Sequence, residues 1–210
     1  MTTFKQFLTE DEQLTIEDIV RDCKPFLDQW EGKPLWRGIR GVAFASNHSM
    51  MDVNGSPVKV SWMKRAVRSD RVPKNTWDEA SEVVDTYFLD KFGWRPRSEG
   101  LFVTGSYSRA DQYGIVYLIF PIGQFNFLWS PNVPDLYYQM PERGDVPPEQ
   151  LVSYIDDRLD AAKFQTDDLN SAIDHGVEIT VHCKNYYALS ISRNRVSDFC
   201  DALRKANDNL

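Results

Sequence analysis

The chain has 210 residues, with 24 basic against 31 acidic side chains and a formal net charge of −7. That sign disfavours general nucleic-acid binding, which needs a positive surface to displace counterions from phosphates. The length suits one sizeable domain or two very small ones. No apolar run reaches the roughly 18 residues of a membrane-spanning helix, and the N-terminus lacks the apolar core of a secretory signal. Cys23, Cys183 and Cys200 are widely spread, without C-x-x-C spacing. They read as reduced thiols of a cytosol-like compartment, not as a disulfide framework or a zinc site.

In chain order, Phe4, Phe7 and Leu8 make a short helical stripe within residues 1–10, too short to be stable alone. Thr15 followed by Asp18 resembles a capping box and predicts a helix through about Trp30. Residues 34–45 read as a strand with two glycines, Gly38 and Gly41, that permit close backbone approach. Residues 46–75 are a polar stretch with Asn-Gly and Ser-Pro turn signals, expected to be a long, weakly structured segment. Thr76, with Glu79 at the box position, is expected to cap a second helix that stops at Gly93.

Residues 99–106 then predict a short strand ending in a glycine turn, and residues 108–114 a short helix closed by Gly114. Residues 115–123 are the most apolar run and read as a buried central strand, with 124–129 as its neighbour. A Pro-rich loop, 130–148, leads to helices at about 148–161 and 167–174. Residues 177–183 and 186–192 look like a hairpin turning at Lys184-Asn185, and an amphipathic helix ends the chain. Strands and helices do not alternate regularly, so a doubly wound parallel sheet is not expected. The expected fold is α+β: a single domain of mixed, mostly antiparallel sheets forming a cleft with flanking helices. Neither a dinucleotide-binding G-x-G-x-x-G nor a P-loop is present.

Several polar side chains sit in strand-like apolar surroundings, where burial is costly unless the group is paired or faces a cleft. Arg37 lies in LWRGI, Thr104 and Ser106 end LFVTGS, and Glu178 opens VEITV. Singly, each has an ordinary structural explanation: a solvated strand face, a helix cap, an edge strand. In this order, across about residues 34–191, they resemble the Arg–Ser/Thr–Glu signature of the mono-ADP-ribosyltransferases. The quoted pieces are Leu35-Trp36-Arg37-Gly38, then Phe102-Val103-Thr104-Gly105-Ser106 with Ala110 and Tyr113, then Glu178-Ile179-Thr180-Val181. Gly176 stands where many arginine-modifying members carry a second Glu, which leaves the acceptor's residue type open.

The resemblance implies NAD as substrate and Glu178 as the catalytic carboxylate, stabilising the positive charge that develops on the ribose as nicotinamide leaves. It implies Thr104 and Ser106 as supporting hydrogen-bonders, and Arg37 as a grip on a phosphate or the nicotinamide ribose. Tyr113, Tyr107 and Phe120 are aromatic candidates for packing on nicotinamide. His175 reads as an exposed loop residue, not a base. The basic run Lys59, Lys64, Arg65, Arg68, Arg71 and Lys74 reads as a solvated face or a phosphate contact. No metal site is expected.

The first ten residues, MTTFKQFLTE, resemble the capsid-targeting peptides of internal head proteins in large tailed phages, clipped by a prohead protease after a Leu-x-Glu pattern, here Leu8-Thr9-Glu10. With residues 11–210 as the domain, the expectation is a phage-encoded, virion-packaged transferase that modifies a host protein in the host cytoplasm. Two other readings stand beside it: a non-catalytic head or host-factor-binding protein of the same fold, and an NAD glycohydrolase using water as acceptor.

Overall fold

Alternating apolar and polar residues, punctuated by glycine turns, build eight strands, and amphipathic segments between them build the helices. The computed structural model describes residues 13–41, 47–68 and 77–209. Its strands are β1 (Trp36–Ile39), β2 (Asn47–Val53), β3 (Ser56–Ala66), β4 (Leu101–Thr104), β5 (Ile115–Ile122), β6 (Asn126–Leu128), β7 (Glu178–His182) and β8 (Asn185–Ser190). They form one open antiparallel sheet in the order β2-β3-β8-β5-β1-β4-β7-β6. The helices are α1 (Ile16–Asp22), α2 (Lys24–Leu27), α3 (Asp78–Phe92), α4 (Pro96–Glu99), α5 (Tyr107–Asp111), α6 (Leu151–Ala162), α7 (Leu169–His175) and α8 (Val196–Asp208). The protein is a single α+β domain.

The polar stretch of residues 46–75 is not weakly structured where it is described; residue 46 and residues 69–75 lie outside the described residues. Its residues 47–66 are the β2–β3 hairpin, turning at Asn54 (φ +54°) and Gly55 (φ +79°). Asn-Gly suits a two-residue hairpin turn because both positions tolerate positive φ. Ser49, Met51, Val53, Val58, Val60 and Trp62 alternate with more exposed residues and are buried, so a polar-looking segment still serves the core.

The capping box forms as expected: Asp18 N–H donates to Thr15 Oγ1, and Thr15 N–H to Asp18 Oδ2. The helix does not run unbroken to Trp30, however. It stops at Cys23 and restarts as α2, which carries Pro25 in its first turn, where a missing N–H is harmless. The residue before α3 is Trp77, which makes no side-chain cap; Thr76 lies outside the described residues, as do residues 1–10 with their stripe and cleavage motif. Gly93 closes α3 in the left-handed conformation.

The expected hairpin of residues 177–192 does not form. β7 pairs with β4 and β6, whereas β8 pairs with β3 and β5, so the chain crosses between distant positions of the sheet at Cys183-Lys184. β6, expected beside β5, pairs with β7 at the sheet's end. β5 is interior, as its apolar run requires, yet contains Pro121. Ile119 N–H points at β1, bonding Leu35 O, so the Pro121 nitrogen two residues on faces the same edge. The β1–β5 pairing stops at Leu118, which leaves no ladder there for proline to break.

The main core lies between the sheet and α1, α2 and α8, with the Phe26 ring 6.1 Å from Phe120 and 5.6 Å from Phe125. A second, smaller core joins α3 (Ala80, Val84, Phe88) to α6 (Leu151, Ile155, Leu159) over Leu128 and Trp94. The two sheet portions, β2-β3-β8-β5-β1 and β4-β7-β6, meet through one residue pair, Trp36↔Thr104.

Candidate functional site

That joint is where the residues singled out from the sequence gather. Trp36 on β1 is opposite Thr104 on β4, and Thr104 is opposite Glu178 on β7. The three motif-bearing segments are therefore neighbouring strands, although up to about 140 residues separate them along the chain. Arg37, next to Trp36, reaches across the joint and donates from Nη1 to Phe102 O at 2.6 Å. It bonds β4 with its side chain where the strand ladder has stopped.

Thr104 is buried, and its hydroxyl is engaged on both sides. It donates to Gly176 O at 2.9 Å and accepts from Ser106 N–H at 3.1 Å. Ser106 caps α5 as expected, accepting from Arg109 N–H. Gly176 closes α7 with φ +61°, and a Cβ there would lie 3.3 Å from Ser106 Cβ. The left-handed backbone and this close approach suit glycine at the position. Glu178 is half-buried. Its backbone N–H donates to Pro134 O at 2.9 Å, and its Oε1 accepts from Leu136 N–H at 3.2 Å. The Pro-rich segment thus holds the carboxylate from one side.

Two guanidiniums, those of half-buried Arg37 and buried Arg97, share this region. Burial pulls the Arg37 pKa below the usual arginine range; Tyr186 and Glu178 oppose the effect and Arg65 adds to it. Arg97, on α4, is only 7% exposed, and burial lowers its pKa too, against the opposing charges of Glu178, Asp135 and Asp85. The Nε atoms of both are enclosed, with no hydrogen-bond partner among the described residues. Phe102 stands between them, its carbonyl bonded to Arg37 and its ring centroid 5.8 Å from the Arg97 guanidinium carbon. Tyr113, 55% exposed, has its phenol pKa raised by partial burial and by Asp135, Glu178 and Tyr138. It belongs to the same electrostatic neighbourhood as Glu178.

Other candidates go elsewhere. Phe120 is core, edge-on to Phe26, Trp30 and Phe199. Tyr107 packs edge-on against Trp36, with Arg193 over its ring. His175 is exposed at the end of α7, bonded to Ser171 O. Of the basic run, Lys59, Lys64 and Arg65 lie on β3 with Arg68 just beyond it, while Arg71 and Lys74 are outside the described residues. Arg65 acts electrostatically on Arg37. A cavity of about 310 Å³ borders Trp36, Tyr107 and Arg193, but none of Arg37, Thr104, Ser106, Tyr113 or Glu178 lines it. Among the described residues no group of His, Cys, Asp and Glu is placed to hold a metal ion, and no helix is long and apolar enough to cross a membrane.

Sequence reasoning missed Arg97 and Asp135. Arg97 sits in a charged run, RPRSE, with nothing local to mark it as buried. Asp135 falls in a loop recognisable only as Pro-rich. Compared with known protein families, curated proteins and solved structures, the chain matches none.

Proposed function

We propose that the protein transfers ADP-ribose from NAD to a host protein, with Glu178 as the catalytic carboxylate. The observation that carries this reading is the row Trp36–Thr104–Glu178, which sets three motifs distant in sequence on adjacent strands, with Arg37 alongside. In the reaction, the bond between the ribose C1′ and nicotinamide breaks and its electron pair leaves with nicotinamide. The acceptor's nucleophile forms the new bond to C1′ and loses its proton. Glu178 faces the cationic ribose and accepts a hydrogen bond from a ribose hydroxyl. Thr104 and Ser106 hold the turn that carries Glu178, through the Gly176 carbonyl and the α5 cap. Tyr113 offers an exposed ring for nicotinamide. The phage and virion assignment rests on the resemblance of residues 1–10 alone.

A second reading has its own support. Arg37, Thr104 and Ser106 all hold backbone groups, so each has a structural task that a non-catalytic protein of the same fold would also need. Incubation with adenylate-labelled NAD and bacterial lysate separates the readings. Label on a lysate protein supports the transferase; free ADP-ribose without labelled protein supports the glycohydrolase; neither product supports the non-catalytic protein.

A further inference from the structure

We infer that Arg97 is a ligand-binding residue of this same site and takes the diphosphate of the dinucleotide. The inference rests on the NAD reading and extends it to a residue outside the Arg–Ser/Thr–Glu signature. The first ground is position. Asp85 of α3 accepts the backbone N–H groups of Arg97 (2.6 Å) and Ser98 (3.0 Å), which clamps the α4 turn and holds Arg97 where β4 begins. The guanidinium then lies beside the Phe102 ring, on the strand that carries Thr104 opposite Glu178.

The second ground is incompleteness. A buried guanidinium ordinarily has its donors satisfied, and an unmet buried charge is expensive. Arg97 is more than nine-tenths buried, its Nε has no acceptor, and it forms no ion pair among the described residues. Glu178 and Asp135 are its leading opposing charges, so Arg97 shares the electrostatic neighbourhood of the carboxylate. The third ground is charge balance. A diphosphate carries two negative charges, and Arg37 has already committed one donor to the Phe102 carbonyl. Guanidinium suits the second role because its planar donors match phosphate oxygens two at a time.

The test is calorimetric titration of the full chain with ADP-ribose, which carries the diphosphate, and with nicotinamide, which does not. Arg97→Gln and Arg97→Lys are each titrated beside wild type, with circular dichroism to establish folding. For Arg97→Gln, ADP-ribose affinity is expected to fall about 10- to 100-fold, the loss of a charge-assisted contact, with nicotinamide affinity unchanged. Arg97→Lys is expected to recover part of the loss and to stand in if the Gln variant does not fold. Folded variants that bind ADP-ribose like wild type overturn the role of Arg97 while leaving the NAD reading intact. Wild type that binds neither probe overturns both.

Discussion

Thr104 and Glu178 face each other across β4 and β7, and the Thr104 hydroxyl bonds the carbonyl of Gly176, two residues before the carboxylate it faces. The hydroxyl therefore positions the turn from which β7 starts. Thr104→Val is expected to lower stability by about 1–3 kcal/mol, because the Gly176 carbonyl and Ser106 N–H both lose a partner. Thr104→Ser is expected to restore most of it. Urea denaturation measures both, and a Val variant as stable as wild type would remove the positioning role.

Gly38 and Gly41 should respond differently to alanine. A Cβ on Gly38 would lie 2.0 Å from Ala110 O, so α5 must move off β1. Gly41, at φ +69°, has no atom of the described residues within 4 Å of such a Cβ. Gly41→Ala is expected to cost about 1–2 kcal/mol through backbone conformation alone, and Gly38→Ala more, by overpacking. Thermal melting of the two variants checks the order.

Asp22 gives the protein an acid-sensitive contact. Burial raises its pKa, but hydrogen bonds from Tyr187 (2.7 Å) and Arg21 outweigh it and hold the carboxyl below the usual range. A carboxyl lowered in the folded state stabilises fully above its unfolded pKa, near 3.9, and that stabilisation is lost as pH falls through the folded value. Tyr187→Phe is expected to cost about 1–2 kcal/mol at pH 7. The gap to wild type should narrow below about pH 4, as followed by denaturation across pH 2.5–7.

The cysteines should be inert while the chain is folded. Cys23, Cys183 and Cys200 are free and buried, and burial pushes the Cys183 and Cys200 thiols up to about 12 and Cys23 higher still. Thiolate is the reactive form. Labelling with a disulfide reagent at pH 8 is expected to find no rapidly reacting thiol in the native protein and all 3 cysteines in denaturant.

Local chemistry made much of this fold legible. The Thr15–Asp18 box, the apolar run of β5, the Ser106 cap and the closing amphipathic helix each announce themselves within a dozen residues. Pairing did not. Residues 177–192 look like a hairpin because two apolar runs flank Lys184-Asn185, yet each strand finds better partners far along the chain. The β2–β3 hairpin was obscured because its exposed half, including His48, Asp52, Lys59 and Lys64, dominates the composition. At the site, Arg37, Thr104 and Glu178 stood out as polar groups inside apolar strands. Arg97 did not, because its burial comes from α4 turning back under Asp85, a contact between separate helices.

The central claim is that the Glu178 carboxylate carries NAD chemistry at the β1–β4–β7 joint. The most direct measurement is nicotinamide released from NAD by wild type and by Glu178→Gln, with and without bacterial lysate. Release by wild type, reduced at least about 100-fold in the variant while its melting curve stays the same, is the expected result. Equal release by a folded Glu178→Gln protein, or none by wild type in the presence of lysate, would contradict it.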